Sequence, residues 1–434
     1  MFCELNLKNF KAYERLSIEL KPLTFLLGPN NSGKSSILAA LRLLHQTVKS
    51  RDRSVSLLLN GVMGEFGTYK DIVHGNNTRK QINIRCGIMG GDFASGTDVL
   101  SIDLKYKYRP SLKELILKRA EICLNDDIIM VTRYAEDTER RIIQKIADYE
   151  IPPASQSSLS KGFETMNFLP FPLASSLKQH DELPEFKESI SKIFMINRVA
   201  VSAFHNMEYI GAMRIPPSRI YLFSGEKRDR VGPSGENCIN MLTMYSMKKD
   251  SQSKNIFKKV TKWLKQACIA SDLKIIPLSD HRYFELRIQH PQTEEYQNLA
   301  DIGYGHSQIL PVLVGGYHLN KGSTFLAEEP EIHLHPISQA ELGDFFSELY
   351  ENGVQSLVET HSEYMILRLQ QHVAQGRIPP EDIVFYYVYA NNGKKVVVRL
   401  NLDKRGRFLE EWPEGFFPER LEEAKKLSKI RFRN

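Results

Sequence analysis

The stretch FLLGPNNSGKSS, Phe25 to Ser36, constrains this chain more than any other. An apolar run ends at Gly28, a glycine- and asparagine-rich loop follows, and SSILAALRLLHQTV then carries helical apolar spacing. Gly28 to Ser35 matches GxxxxGK[ST], in the strand-loop-helix context that this pattern needs to hold phosphate. Gly28 and Gly33 let the backbone curl, so that N–H groups and the positive end of the helix face an anion. The predicted nucleotide contacts are Gly28, Pro29, Asn30, Asn31, Ser32, Gly33, Lys34, Ser35 and Ser36. Lys34 supplies a point charge to the β- and γ-phosphates, and the Ser35 hydroxyl a ligand to Mg²⁺.

A chain built on such a loop needs a carboxylate to hold the metal and a base to prepare water. GSTFLAEEPEIHLHP offers both, an apolar strand closing on Glu328 and Glu329. We expect this strand beside the loop strand, with Glu328 on the metal side through water and Glu329 as the general base. Most such strands end in Asp first, so Glu328 is a longer arm. Glu331, His333 and His335 follow, but their spacing is poor for a closed zinc site. A third apolar strand, SLVETHSEY, ends at Thr360 and His361. A neutral His361 there can hydrogen-bond both the γ-phosphate and the attacking water. The predicted catalytic set is Lys34, Glu329 and His361.

ADIGYGHSQILPVL, Ala300 to Leu313, lies between the loop and the acidic strand. It opens polar and glycine-rich and turns apolar, as a loop entering a buried helix does. Gly303 and Gly305 permit close approach to phosphate, the Ser307 hydroxyl donates, and a helix starting near Ser307 presents free N–H groups.

In this order of elements the chain resembles ABC-type ATPases, more narrowly the SMC, RecF and OLD-like group of ATPase heads. The resemblance implies that Gly303, Gly305, Ser307 and Gln308 form a signature that binds the γ-phosphate of ATP held by a second subunit. GYGHSQ departs from the usual LSGGQ, most of all at His306. NFKAY, FGTYKDIVHG, VGPSGEN, HLHPISQAELGD, ETHSEYMILRL and EWPEGFF together resemble a bacterial AAA-family ATPase group that ends in a WPxGFF segment. Several of its members are found in phage-defence loci. That likeness covers residues 1 to 85 and 208 to 420. It implies ATP hydrolysis with Mg²⁺, a homodimer or higher oligomer, and a state relayed to DNA or to a separate effector protein. The alternatives are an OLD-like nuclease, for which no acidic constellation is evident, and a nucleotide-gated scaffold without turnover, against which Glu329 argues.

The fold class expected is α/β: a P-loop NTPase of ABC-ATPase type, with a mixed or parallel sheet, an antiparallel β lobe and an inserted helical lobe. Residues 1–136 read as the first part of the ATPase domain. INIRCGI, LSIDLKYKY, ELILKRAEICL and DIIMVTRY alternate like antiparallel strands, with a hairpin turn at Asn125 to Asp127. Residues 137–213 read as a helical insertion, from TERRIIQKIADYE through a polar linker IPPASQSSLSKG to a long helix running into HNMEYI. Residues 214–380 return to the ATPase domain with strand-helix-strand-helix alternation. Residues 381–434 hold a hairpin with an Asn-Gly turn and the tail, whose Trp412, Phe416 and Phe417 fit core packing or a relay.

The net charge of +6 permits contact with a phosphate backbone without arguing for it. GEKRDR and KKLSKIRFRN fit solvated faces better than nucleic-acid contacts. Arg214 and Arg219 are candidates to approach nucleotide phosphates. Five scattered cysteines without a CxxC pair suit a reducing compartment. The N-terminus lacks a signal-peptide pattern, and no run approaches the roughly 18 apolar residues of a membrane helix. A cytoplasmic protein without a membrane partner is expected.

Overall fold

The computed structural model describes residues 1–90, 98–111, 113–136, 140–146, 149–151, 153–160, 163–172, 184–248, 251–278 and 282–411. Trp412, Phe416, Phe417 and the final basic stretch lie outside the described residues.

A six-stranded sheet organises the chain. Its order is Met207–Ile210, the acidic strand Thr324–Glu328, the histidine strand Gln355–Glu359, the P-loop strand Leu23–Leu27, Ile383–Asn391 and Lys394–Leu400. All neighbours are parallel except the last pair, the expected Asn-Gly hairpin. Alternate side chains leave opposite faces of a strand, and here both faces are covered. Leu23, Phe25, Leu27, Phe325, Phe385 and Tyr387 face one core, with the helices Cys238–Met247, Ser251–Gln266, Tyr304–Tyr317, Pro336–Glu351 and Glu363–Ala374. Leu26, Leu326, Leu357 and Val384 face the other. That second core is filled by the P-loop helix Lys34–Val48, the helix Pro184–His205 and an antiparallel sheet. Each such side chain contributes about 1.5–3 kcal/mol by burial, so the central strands read as continuous apolar runs.

The antiparallel lobe is an eight-stranded sheet among the described residues. Phe2–Phe10 pairs with Tyr13–Glu19 on one side and Ile82–Met89 on the other, and the meander continues through Val99–Arg109, Glu114–Leu124 and Asp127–Ala135. Asn125 and Asp126 sit at φ 51° and 69°, the left-handed pair of a tight hairpin turn.

Several expectations need correction. The acidic strand does not lie beside the P-loop strand; the histidine strand stands between them. Parallel strands are joined by long crossovers, so sequence order leaves their spatial order open. The segment between 137 and 213 is not purely helical. Arg140–Ile146 is a strand that pairs with Asp127–Ala135 and extends the lobe, through a register shift between Ile143 and Lys145. The bulge breaks the alternation and buries Ile142, Ile143 and Ile146, a spacing that imitates a helix. The supposed linker forms a helix, Pro153–Ser160, held to that strand by the Ile143 N–H on Ser160 Oγ at 2.9 Å. Finally, Met207–Ile210 leaves the preceding helix at Asn206 and becomes a wholly buried strand of the central sheet. Four buried residues are too few to show a period.

The helix bearing the glycine-rich stretch starts at Tyr304 rather than near Ser307. Gly303 is its N-cap, in extended backbone, without a side-chain cap. Among the described residues no helix is long and apolar enough to cross a membrane. The five cysteines are free.

Candidate functional site

The P-loop crosses from the central sheet to its helix over Gly28–Gly33. Gly28 takes φ 131°, and a Cβ there would meet the Val388 carbonyl oxygen at 2.0 Å. Gly33 takes φ 112°, and its own carbonyl accepts from the Tyr13 hydroxyl at 3.2 Å. Only glycine tolerates that approach. Gly28→Ala is therefore expected to add about 1–3 kcal/mol of strain, push the loop outward and weaken nucleotide binding at least tenfold. Thermal unfolding and a nucleotide titration of the variant check both. Ser32 is buried, its Oγ without a hydrogen-bond partner. Lys395 reaches across from the tail hairpin to the Asn31 carbonyl at 2.7 Å.

Lys34 is buried at the centre. Its ammonium donates to the carbonyls of Gly28 at 2.8 Å and Pro29 at 3.0 Å, and to Nε2 of His361 at 3.1 Å. Donation to Nε2 places the imidazole proton on Nδ1. Glu359 Oε1 lies 3.5 Å from the same ammonium. Burial lowers the Lys34 pKa, opposed by Glu359 and Glu329. Burial, then Lys34, lowers the His361 pKa, so the ring is neutral at neutral pH.

Glu359 is the residue that sequence reasoning missed. Parallel register places it beside Glu328 on one side and Leu26 on the other. It thus closes the strand nearest the loop, and its carboxylate takes a hydrogen bond from Ser35. Its Oε2 is buried without a partner. Burial pushes the carboxyl up to about 7, with Lys34 opposing. The signal was present: an acid follows the apolar pair Leu357 and Val358 at a strand end there, as Glu328 follows Leu326 and Ala327.

Glu328 points at a different cation. Its Oε1 accepts from Arg42 of the P-loop helix at 3.0 Å, and Tyr209 adds a hydrogen bond. Arg42 also holds the Met63 carbonyl and stacks on Tyr209 at 3.8 Å from the ring centre. Burial raises the Glu328 pKa against Arg42. Glu329 stands in left-handed backbone, φ 43°, fixed by its N–H on the Glu359 carbonyl at 2.8 Å. Its carboxylate lies 3.9 Å from His361 Nε2. The loop beyond has structural partners. The buried Glu331 accepts the His361 N–H at 2.6 Å and so sets the histidine backbone, while His335 caps the next helix.

The strand ends thus gather Lys34, Ser35, Glu329, Glu359 and His361, with Glu328 adjacent. Gly303, Gly305, Ser307 and Gln308 stand apart, and Arg214 links them to the cluster. Its buried guanidinium donates to the carbonyls of Gly211, Gln308, Glu328 and Glu329 at 2.9–3.1 Å. Arg214 is therefore a clamp on backbone, and Arg219 pairs with Asp301 at the surface. Gly303 and Tyr304 are exposed, whereas Ser307 Oγ donates to its own helix at the Tyr304 carbonyl, 2.9 Å. His306 sets its ring nitrogens 3.0 Å from the carbonyls of Gly303 and Ile269.

Among solved structures the chain is similar to the SmcHead bound to the C-winged helix domain of ScpA, at 15% identity and TM-score 0.48, covering 93% of this chain and 98% of that one. It is similar also to the SMC head domain from Thermotoga maritima, at 10% identity and TM-score 0.41, covering 92% and 98%. A third is the Smc head domain with an extended coiled coil bound to the C-terminal domain of ScpA derived from Pyrococcus furiosus, at 14% identity and TM-score 0.44, covering 99% of each. No curated protein matches the chain. Residues 378–427 match a family described as a protein of unknown function, DUF3696. The family model described as AAA ATPase domain matches residues 1–193 and 131–366, spanning the P-loop, the acidic strand and the histidine strand, and the chain belongs to that family.

Proposed function

We propose that this chain is an ATP-hydrolysing switch in which two copies pair head to tail around ATP. Each site combines Lys34, Ser35, Glu328, Glu329, Glu359 and His361 of one copy with Gly303, Gly305, Ser307 and Gln308 of the other. The observation that carries the reading is the convergence of the Lys34 ammonium, a neutral His361 and the Glu329 carboxylate at the C-terminal ends of neighbouring parallel strands. That is where a phosphate held by the loop meets a base and a hydrogen-bonding imidazole. Glu329 accepts the proton of the attacking water, and His361 orients that water against the phosphate. Lys34 turns from the loop carbonyls to the β- and γ-phosphates.

The residues present fit Mg²⁺. The Ser35 hydroxyl and the unpartnered Oε2 of Glu359 are the oxygen donors a hard cation takes. Such a cation supplies charge neutralisation on the phosphates. Glu328, tied to Arg42, would be the second carboxylate to hold it, through water.

Hydrolysis separates the pair, and the separated state passes to an effector protein or to DNA. The anti-phage or DNA-maintenance setting follows from the motif group that the chain resembles. The test is mass in solution. Without ATP the chain is expected as a monomer, with ATP and Mg²⁺ as a dimer, and Glu329→Gln is expected to hold the dimer longer. A mass unmoved by ATP in both proteins would remove the pairing.

A further inference from the structure

We propose a second anion site, at the end of the central sheet opposite the P-loop, that takes a small phosphate-bearing ligand. A hollow of about 550 Å³ lies there, lined by Lys49, Lys227, Arg228, Arg230, Lys248 and His318. Asn206 and Ser323, which also line it, immediately precede the strands Met207–Ile210 and Thr324–Glu328. The nucleotide loop follows the opposite, C-terminal ends of these parallel strands. Lys49 caps the C-terminus of the P-loop helix, whose 15 residues begin at Lys34. At 1.5 Å per residue the two lysines stand about 22 Å apart. His318 likewise caps the C-terminus of the helix Tyr304–Tyr317.

The charge in this hollow is unbalanced. Lys49, Lys227 and Lys248 hold no ion pair among the described residues, and Arg228 is taken by Glu226 at 2.7 Å. Arg230 keeps a buried Nε without an acceptor. Among the described residues Asp229 is the one acid on the lining. Glu208, fully buried behind it, takes His318 at 3.0 Å and the Val231 N–H at 3.3 Å on Oε2, keeps Oε1 without a partner, and offsets part of the charge of Arg230 and Lys49. Burial, then the neighbouring Arg230, pushes Lys49 down to about 8 against Glu208 and Asp229, and a bound anion would offset the Arg230 part. Met241, Met244 and Tyr245 give the hollow an apolar wall. The volume and the mixed lining are those of a small-ligand pocket. A nucleic-acid strand would need instead a groove tracking successive phosphates.

The site stands independently of the ATPase reading, and its test keeps the two apart. Binding of inorganic tripolyphosphate is measured by calorimetry on Lys34→Ala, which disables the P-loop. One residual site per chain is expected. Adding Lys49→Gln and Lys248→Gln, both at exposed positions, is expected to weaken that site at least tenfold with unchanged thermal unfolding of the free protein. Absence of the residual site, or undiminished binding in the triple variant, overturns the proposal. So does a single-stranded oligonucleotide that binds at these lysines and that tripolyphosphate fails to displace. If the P-loop reading alone is wrong, Lys34→Ala changes nothing while the lysine pair still abolishes tripolyphosphate binding.

Discussion

Glu329→Gln is expected to slow ATP hydrolysis by about 10²–10⁴-fold, the usual contribution of a positioned general base, while nucleotide binding stays within about twofold. The loss corresponds to about 2.7–5.4 kcal/mol in the barrier. The substitution is nearly isosteric. The backbone stays pinned by the Glu359 carbonyl and by Arg214, so the side chain keeps its place and loses only its basicity. Single-turnover hydrolysis and equilibrium binding, measured on one preparation, separate the two effects. Two other carboxylates stand close enough to test the assignment. Glu331 is buried, with Oε1 on the His361 N–H and Oε2 without a partner. Glu359 faces Lys34 and Ser35, on the phosphate side of the cluster. A Glu329→Gln protein that turns over at the normal rate, with Glu359→Gln inactive, would move the base to Glu359.

Much of this site was legible because parallel strands bury both faces and end in function. Three apolar runs, closing on Gly28, Glu328 and His361, are visible as strand ends in the sequence alone. Their lateral order is not, because crossover helices carry no signal of which neighbour a strand will choose. Glu359 escaped for that reason. Without the lateral order an acid two residues before His361 means little, whereas the same acid in register with Leu26 ends beside the loop. Arg42 and Arg214 were illegible differently. Both act on groups far away in sequence, Arg42 on Glu328 and the Met63 carbonyl, Arg214 on the carbonyls of Gln308, Glu328 and Glu329. No local pattern marks an arginine for such work. The misread Arg140–Ile146 strand shows the converse, a local pattern that a single bulge shifted from one period to another.

The trans contribution of the glycine-rich stretch is the boldest part of the proposed function, and Gly303→Glu tests it. Ser307 is the obvious target by sequence, but its side chain is buried against its own helix, so a bulky residue there disturbs the fold as well as any partner. Gly305 is no better, since a Cβ would meet the His333 carbonyl oxygen at 2.6 Å. Gly303 is different. It is exposed, its φ of −54° suits any residue, and a Cβ finds nothing within 4 Å. A glutamate placed there leaves the chain's own P-loop alone and sets a carboxylate at the helix start, where a partner's γ-phosphate would dock. Two like charges in contact at a desolvated interface cost several kcal/mol. ATP binding to the variant should match wild type within about twofold, while ATP-dependent pairing disappears and hydrolysis falls by about 10²-fold or more. Gly303→Ala, adding only a methyl group, should pair and hydrolyse as wild type. If Gly303→Glu pairs and hydrolyses normally, the nucleotide site is complete within one chain, and the exposed glycine-rich helix start has another task.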